Sequence, residues 1–105
     1  RFVKAALNLT DNEFADYLGI SLRTLQRKRD SHERLSIPEG DRLFRIARIF
    51  ALAVSVLESE KMARKWLHRA QRGLGGRVPI QVIQTEAGAQ EVEDLLEKIE
   101  YGVLV

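Results

Sequence analysis

The sequence of 105 residues contains no cysteine, only two prolines and a single tryptophan. The lack of cysteine excludes disulfides, thiolate nucleophiles and most zinc sites. The longest apolar run, residues 49–57, is interrupted by a serine and falls far short of the roughly 20 residues that a membrane-crossing helix needs. No charged segment followed by a signal cleavage site opens the chain. We therefore expect a folded, cytoplasmic protein that does not bind membranes.

No group of residues in the sequence is typical of an enzyme. The two histidines, His32 and His68, are isolated, and no Ser, His and Asp grouping has a recognisable context. The glycines within residues 73–76 are not followed by the Lys-Ser or Lys-Thr pair of a phosphate-binding loop. We predict no catalytic residue, no metal site and no cofactor, so the protein is expected to act by binding.

Charge is distributed unevenly along the chain. Residues 1–53 hold ten Lys/Arg against seven Asp/Glu, whereas residues 85–105 hold one Lys against six acids. A basic front half suits a polyanion such as nucleic acid, and an acidic end suits a basic partner surface. Ordinary solvated faces are the alternative interpretation of both clusters.

Helical periodicity dominates the sequence, and no alternating segment longer than four residues is bounded like a strand. We predict an all-α fold with a helix-turn-helix domain over residues 1–53 and a small helical domain over residues 54–105. The longest helix is expected from Pro38 to about Leu57. Its polar stripe consists of Arg42, Arg45 and Arg48, which we interpret as a solvated face, with a phosphate contact as the alternative. The next helix, residues 59–71, is expected to turn inward Met62, Ala63, Trp66, Leu67 and Ala70.

Two short helices joined by a tight glycine turn predict a helix-turn-helix. Thr10 and Glu13 have the spacing of a capping box at the start of the first helix. Gly19 ends that helix, Ser21 caps the second, and Ala15 is small where the two helices would approach each other. An ordinary helical hairpin is the alternative.

The second short helix carries side chains of the types that contact DNA. Arg can bond guanine bidentately and Gln can bond adenine, while Ser, Thr and Lys serve phosphates. The predicted contacts are Ser21, Arg23, Gln26 and Arg27 near the bases, with Thr24, Lys28 and Arg29 at phosphates. Lys28 departs from the pattern, because helix-turn-helix proteins often bury an apolar residue at its position.

Four sequence blocks follow one another in the back half. They are residues 63–67 (ARKWL), 74–80 (LGGRVPI), 85–89 (TEAGA) and 92–99 (VEDLLEKI) with 101–103 (YGV) behind them. In this order they resemble the C-terminal domain of the Xre/MbcA/ParS-type antitoxins of type II toxin–antitoxin systems, and the resemblance covers roughly residues 42–105. Ala70 stands where that family commonly has a proline, which leaves the shape of this loop open.

The resemblance implies a non-enzymatic antitoxin with an Xre-like helix-turn-helix in front. Such proteins bind RES-domain or related toxins, which consume nicotinamide dinucleotide or use it to modify a target, and they cover the toxin's active site. The N-terminal domain represses the shared operon by binding operator DNA, usually as a homodimer or within a larger toxin–antitoxin complex.

We expect the toxin to contact the acidic side of the last helix and the apolar tail, because such a tail left in water would be an unusual exposed patch. The predicted contacts are Glu93, Glu97, Glu100, Tyr101, Gly102, Val103 and Leu104. Two alternatives remain at this point: a stand-alone helix-turn-helix regulator with a C-terminal dimerisation or ligand-sensing domain, and an antitoxin whose front domain has lost DNA binding.

Overall fold

The computed structural model describes residues 9–102. Its helices are α1 (Asp11–Leu18), α2 (Leu22–Ser31), α3 (Ile37–Leu57), α4 (Glu60–Leu67), a 3-10 turn (Arg72–Leu74), α5 (Pro79–Val82) and α6 (Glu86–Glu100). The only extended pairing in this part of the chain is an isolated antiparallel bridge between Gln71 and Arg77. The all-α prediction is confirmed.

The chain divides into two compact units, Arg1–Phe44 and Arg45–Val105. We call them unit 1 and unit 2. Helix α3 contributes its first residues to unit 1 and the remainder to unit 2. The expected domain limit after residue 53 stays a prediction. Among residues 9–102, no helix has both the length and the apolar character that crossing a membrane requires.

The first helix of unit 1 begins and ends as its sequence predicts. The backbone N–H of Thr10 donates to Glu13 Oε1 at 2.9 Å, and the N–H of Glu13 donates to Thr10 Oγ1 at 3.1 Å. This reciprocal capping box satisfies two amides that the first turn leaves unpaired. Leu9, which precedes α1, and the buried apolar side chains of α1 and α2 then form a small core. The helix residues are Phe14, Ala15, Leu18 and Leu25.

Two observations explain the glycine at position 19, in the turn between α1 and α2. Its φ of 77° lies in the left-handed region that glycine adopts most easily. A Cβ there would also stand 1.7 Å from Arg42 Nη1, which donates to the carbonyl of Leu18 at 2.9 Å. Arg42 therefore covers the C-terminal end of α1, where a cation is favoured by the helix dipole.

Unit 2 has the larger core. Its buried apolar residues are Ile46, Ile49, Phe50, Ala53, Ala63, Leu67, Leu74, Ile80, Ile83, Ala89, Val92, Leu95 and Leu96. Helix α6 contacts both α5 and the 3-10 turn, and α4 contacts α5. Pro79 is the first residue of α5, and α6 buries Ala89, Val92, Leu95 and Leu96 along one side.

The approach of α6 to α5 depends on Gly88. A Cβ at this position would lie 1.8 Å from the backbone oxygen of Val82, so no larger residue fits without a shift of one helix. The hydroxyl of Thr85 caps α6 by accepting from the N–H of Gly88 at 3.0 Å. The structural roles of Thr85 and Gly88 thus account for two residues of the TEAGA block.

Two sequence-based expectations for the middle of the chain are wrong. Helix α4 ends at Leu67 rather than near residue 71, and the side chain of Gln71 donates to the Trp66 carbonyl at 2.9 Å, so the chain has left the helix before Ala70, which is exposed. Met62 is 51% exposed rather than inward-facing. The cause is the helix register: Ala63 and the residue four positions later point into the core, and Met62 lies about 100° away around the axis. Trp66 is half-buried.

The arginine stripe of α3 is not a solvated face, which corrects a third expectation. Arg42 bonds the α1 carbonyl described above, and the other two arginines bind acids of α6 within unit 2. Periodicity identified the stripe but could not show that an acidic helix distant in sequence packs against it.

Candidate functional site

Helix α2 presents an outward face whose central side chains are available for a partner. Arg23 and Gln26 are exposed and have no hydrogen-bond or ion-pair partner among residues 9–102. Ser21 caps the helix by accepting from the N–H of Thr24 at 3.0 Å, and its hydroxyl donates to Thr24 Oγ1 at 2.9 Å. Arg23 and Gln26 are therefore free to form the bidentate contacts that base edges accept.

Arg27 is exposed, but it pairs with Glu33 in the loop after α2. The hydroxyl of Ser31 donates to the Arg27 carbonyl at 2.8 Å and lies 3.5 Å from the same carboxylate of Glu33. A nucleic acid that recruits Arg27 has to replace this carboxylate.

Lys28 lies mostly inside unit 1, with 12% of its side chain exposed. Its ammonium is 3.5 Å from Glu39 Oε1 and 3.7 Å from Glu33 Oε2, and it donates to the carbonyl of Arg34 at 3.3 Å. The position where an apolar residue is common is therefore filled by a lysine that has a buried acidic partner. This placement disfavours the predicted phosphate contact for Lys28.

Glu39 is the partner that the sequence analysis missed. It is 7% exposed, and it closes a second capping box, in which Ser36 N–H donates to Glu39 Oε1 at 2.8 Å and Glu39 N–H donates to Ser36 Oγ at 3.3 Å. The N–H bond from Ser36 lowers the pKa of Glu39 most, and Lys28 lowers it further against the opposing effect of burial. The Ser36–Glu39 spacing repeats that of Thr10 and Glu13, so this signal was present in the sequence.

Arg29 is tied to the other helix of unit 1. Its Nη2 lies 3.2 Å from Asp11 Oδ1 and its Nη1 lies 3.4 Å from Oδ2, so the guanidinium meets both carboxylate oxygens. This pair joins the last turns of α2 to the first turn of α1. Of the four cations on α2, only Arg23 has no acidic partner in the described part of the chain.

In unit 2, an ion network binds α6 to the later part of α3. Arg48 contacts Glu86 at 2.9 Å and Glu93 at 3.0 Å, and Arg45 contacts Glu86 at 3.2 Å while donating to the Gln84 carbonyl at 3.2 Å. The hydrogen bond with Glu86 raises the pKa of Arg48, and Arg48 in turn lowers the pKa of Glu86. Glu93, a predicted toxin contact, is therefore part of an intramolecular network.

The other described residues of the predicted toxin surface face outward. Glu97 and Glu100 are exposed one helical turn apart on α6. Tyr101 follows directly and is 79% exposed, and Gly102 is exposed with a φ of 73°. Val103 and Leu104 lie outside the described residues. The structure thus brings Glu97, Glu100 and Tyr101 together on the C-terminal end of α6.

A shallow cleft of about 400 Å³ lies elsewhere in unit 2, at the contact of α5 with α6. Its polar lining includes Arg77, Gln81, Thr85 and Glu91, and Arg77 pairs with Glu91 across it. No sequence pattern predicted this cleft. Within residues 9–102, no three His, Asp or Glu side chains lie close enough together to hold a metal ion.

The structure places this chain in the class of all-helical proteins that join a helix-turn-helix unit to a small helical unit. Comparisons with known proteins identify the family. Residues 3–48 match the antitoxin Xre-like helix-turn-helix domain, and residues 52–102 match the antitoxin Xre/MbcA/ParS C-terminal toxin-binding domain. The two matches follow each other along most of the chain. The chain belongs to the Xre family of antitoxins.

Curated relatives support this assignment. The chain is 36% identical over 83 residues to antitoxin Xre of Pseudomonas putida, covering 79% of this chain and 52% of the relative. It is 37% identical over 86 residues to antitoxin Xre of Yersinia enterocolitica, covering 81% and 58%. For antitoxin Xre of Photorhabdus laumondii the identity is 32% over 87 residues, covering 82% and 59%. The chain therefore spans between half and two thirds of the length of these relatives.

Proposed function

We propose that this protein is an antitoxin that binds and neutralises a cognate toxin of the RES type, or a related toxin that uses nicotinamide dinucleotide, by covering its active site. It also represses its own operon through the helix-turn-helix. It acts in the cytoplasm by binding rather than by catalysis, as a homodimer or within a larger toxin–antitoxin complex. The observation that carries this proposal is the succession of an Xre-like helix-turn-helix domain and an Xre/MbcA/ParS toxin-binding domain in one chain.

The DNA-binding part of the proposal rests on the outward face of α2. Arg23 and Gln26 are the exposed, unpartnered donors there, and a second helix of a helix-turn-helix inserts this face into the major groove. Arg27 joins them once a phosphate or a guanine replaces Glu33. Ser21, which is predicted to lie near the bases, and Thr24, which is predicted to contact a phosphate, stand at the start of the helix, where their hydroxyls can meet DNA.

The toxin-binding part rests on the end of α6. Tyr101 is a large, exposed aromatic side chain beside Glu97 and Glu100, and buried tyrosines often carry much of the binding energy of a protein interface. Glu97 and Glu100 suit a basic rim on the toxin. Glu93, the other acid proposed for this surface, lies one turn before Glu97, and its carboxylate pairs with Arg48.

Co-expression with the product of the neighbouring gene tests the proposal. We expect a stable complex that survives purification through a tag on one partner, and relief of the growth arrest that the neighbouring product causes alone. If this chain is folded, yet neither a complex nor relief is seen, the protein is not the antitoxin of that product, and a stand-alone regulator is favoured.

Two sets of variants separate the two activities. Arg23→Ala with Arg27→Ala should weaken operator binding and leave toxin capture unchanged, whereas Arg34→Ala, an exposed arginine outside α2, serves as the control. Unchanged operator affinity in the double variant would count against α2 as the reading helix.

Tyr101→Ala together with deletion of residues 103–105 should abolish toxin neutralisation without affecting operator binding. Met62→Ala is the matched control, because it removes another exposed apolar side chain from unit 2. Neutralisation that persists in the truncated variant would exclude the C-terminal end as the toxin contact.

A further inference from the structure

Unit 1 carries little net positive charge for a DNA-binding unit. Residues 9–44 hold six Lys/Arg and seven Asp/Glu, and residues 1–44, which include Arg1 and Lys4, hold eight Lys/Arg and seven Asp/Glu. Much of the affinity of proteins for DNA comes from cations that neutralise phosphates and release counterions. Unit 1 can present base-reading side chains, but its charge supplies little of this general attraction.

Intramolecular contacts reduce the cationic surface of unit 1 further. Arg27, Lys28 and Arg29 each have an acidic partner, and Arg42 donates to a backbone carbonyl. Phosphates can recruit these side chains only by displacing the existing partners, which offsets part of the gain. In the described part of unit 1, only Arg23 and Arg34 are exposed cations without such a partner, so phosphate contacts on another surface would add to the affinity for an operator.

Unit 2 contains such a surface. Residues 61–85 include no Asp or Glu and carry six Lys/Arg. Arg64 and Arg77 pair with acids outside this stretch, at Glu60 and Glu91. The other four cations are exposed and have no ion-pair partner in the described part of the chain. We call these four side chains the basic ridge: Lys61, Lys65, Arg69 and Arg72.

The ridge follows one short stretch of backbone. Lys61 and Lys65 lie one turn apart on α4, so their side chains share a face. Arg69 follows the end of α4, and Arg72 begins the 3-10 turn. No acid interrupts the series, in contrast to α2, where three of four cations are paired.

We propose that the basic ridge binds the phosphate backbone of duplex DNA and supplies sequence-independent affinity that unit 1 lacks. This inference rests on the proposed DNA-binding function. Two of the four side chains are lysines, which are depleted at protein–protein interfaces but common at phosphates. These exposed cations have no acid between them in the sequence, which suits a polyanion, whose phosphates are themselves solvated, better than a desolvated protein interface.

The test measures binding of this chain to a labelled, mixed-sequence DNA duplex by fluorescence anisotropy over a series of salt concentrations. In the variant K61Q/K65Q/R69Q/R72Q, we expect weaker binding and a slope of log affinity against log salt that is smaller in magnitude by about 3 to 4, close to 0.9 for each lost phosphate contact. Lys98→Gln, which removes an exposed lysine from the acidic helix α6, is the control and should leave the slope unchanged.

Two variants that each replace only two of the four side chains separate a loss of DNA contacts from a folding defect. K61Q/K65Q and R69Q/R72Q should each lower the magnitude of the slope by about 2, since each removes two of the four contacts. Far-UV circular dichroism of every variant should match that of the unchanged protein.

The remaining outcomes separate this inference from the proposed function. If the unchanged protein binds DNA and the quadruple variant has the same salt dependence of binding, the basic ridge does not contact phosphates. The proposal that the helix-turn-helix binds DNA is unaffected by that result. If the quadruple variant no longer captures the toxin but binds DNA as before, the basic ridge contacts an acidic protein surface, and the inference that it binds DNA is wrong. Failure of the unchanged protein to bind any duplex, the gene's own upstream region included, overturns the DNA-binding proposal together with the ridge.

Discussion

The buried pair of Lys28 and Glu39 gives the sharpest test of the account of unit 1. Lys28→Met replaces the ammonium with an apolar side chain of similar length at a position that helix-turn-helix proteins often fill with one. Glu39→Gln removes the opposite charge while keeping an oxygen that can accept from Ser36 N–H. The two substitutions and their combination form a double-mutant cycle that isolates the coupling between the side chains.

The expected magnitudes follow from what each partner retains. Removing one member of a fully buried ion pair costs about 3 to 5 kcal/mol. Each single substitution should lower the free energy of unfolding by about 1 to 3 kcal/mol. The loss is smaller than for a fully buried pair because Glu39 keeps its hydrogen bonds to Ser36 when Lys28 is replaced, and Lys28 keeps its ion pair with Glu33 when Glu39 is replaced. The lysine side chain is also 12% exposed. The double variant should cost less than the sum of the singles by about 0.5 to 3 kcal/mol, since neither charge is left alone.

Urea unfolding followed by far-UV circular dichroism measures these differences. The double variant should also bind operator DNA with the affinity of the unchanged protein, because Lys28 lies mostly inside unit 1. If the stability change of the double variant equals the sum of the two single changes within about 0.5 kcal/mol, Lys28 and Glu39 are not coupled. A large loss of DNA affinity in the folded double variant would instead support the phosphate contact that the sequence predicted for Lys28.

Two further predictions follow from the packing and the titration of single residues. Gly88→Ala should destabilise unit 2 by about 1 to 3 kcal/mol, because the added Cβ meets the Val82 carbonyl, whereas Ala87→Ser at the exposed neighbouring position should change stability little. The folded-state pKa of Glu39 is below its ordinary value of 4.5, so its ionisation stabilises the fold above that pH and the contribution disappears as pH falls through the lowered pKa. Melting temperatures across this acid range should therefore converge for the unchanged protein and Glu39→Gln; a constant difference would contradict the assignment.

Local signals in the sequence predicted the local structure well. The spacing of Thr10 and Glu13, the glycine at position 19 and Ser21 each specify a helix end through contacts within a few residues, and all three are observed.

Contacts between distant segments were not predictable from one sequence. The arginine stripe of α3 was interpreted as solvated because periodicity does not show which acids face it, and Arg48 meets Glu93 across 45 positions of the chain. The inward orientation expected for Met62 failed for a related reason: the helix register depends on which neighbours pack against α4. The candidate surfaces of α2 and α6 were located by residue type, but the intramolecular partners of Arg27, Lys28 and Arg29 appear only in the structure.

The most direct test of the central claim measures nicotinamide dinucleotide consumption by the purified product of the neighbouring gene as this chain is added. We expect consumption to stop at a fixed stoichiometric ratio, and we expect Tyr101→Ala to weaken the inhibition while Arg23→Ala does not. Undiminished consumption in the presence of excess folded chain, whether or not the two proteins bind each other, would contradict neutralisation by coverage of the active site.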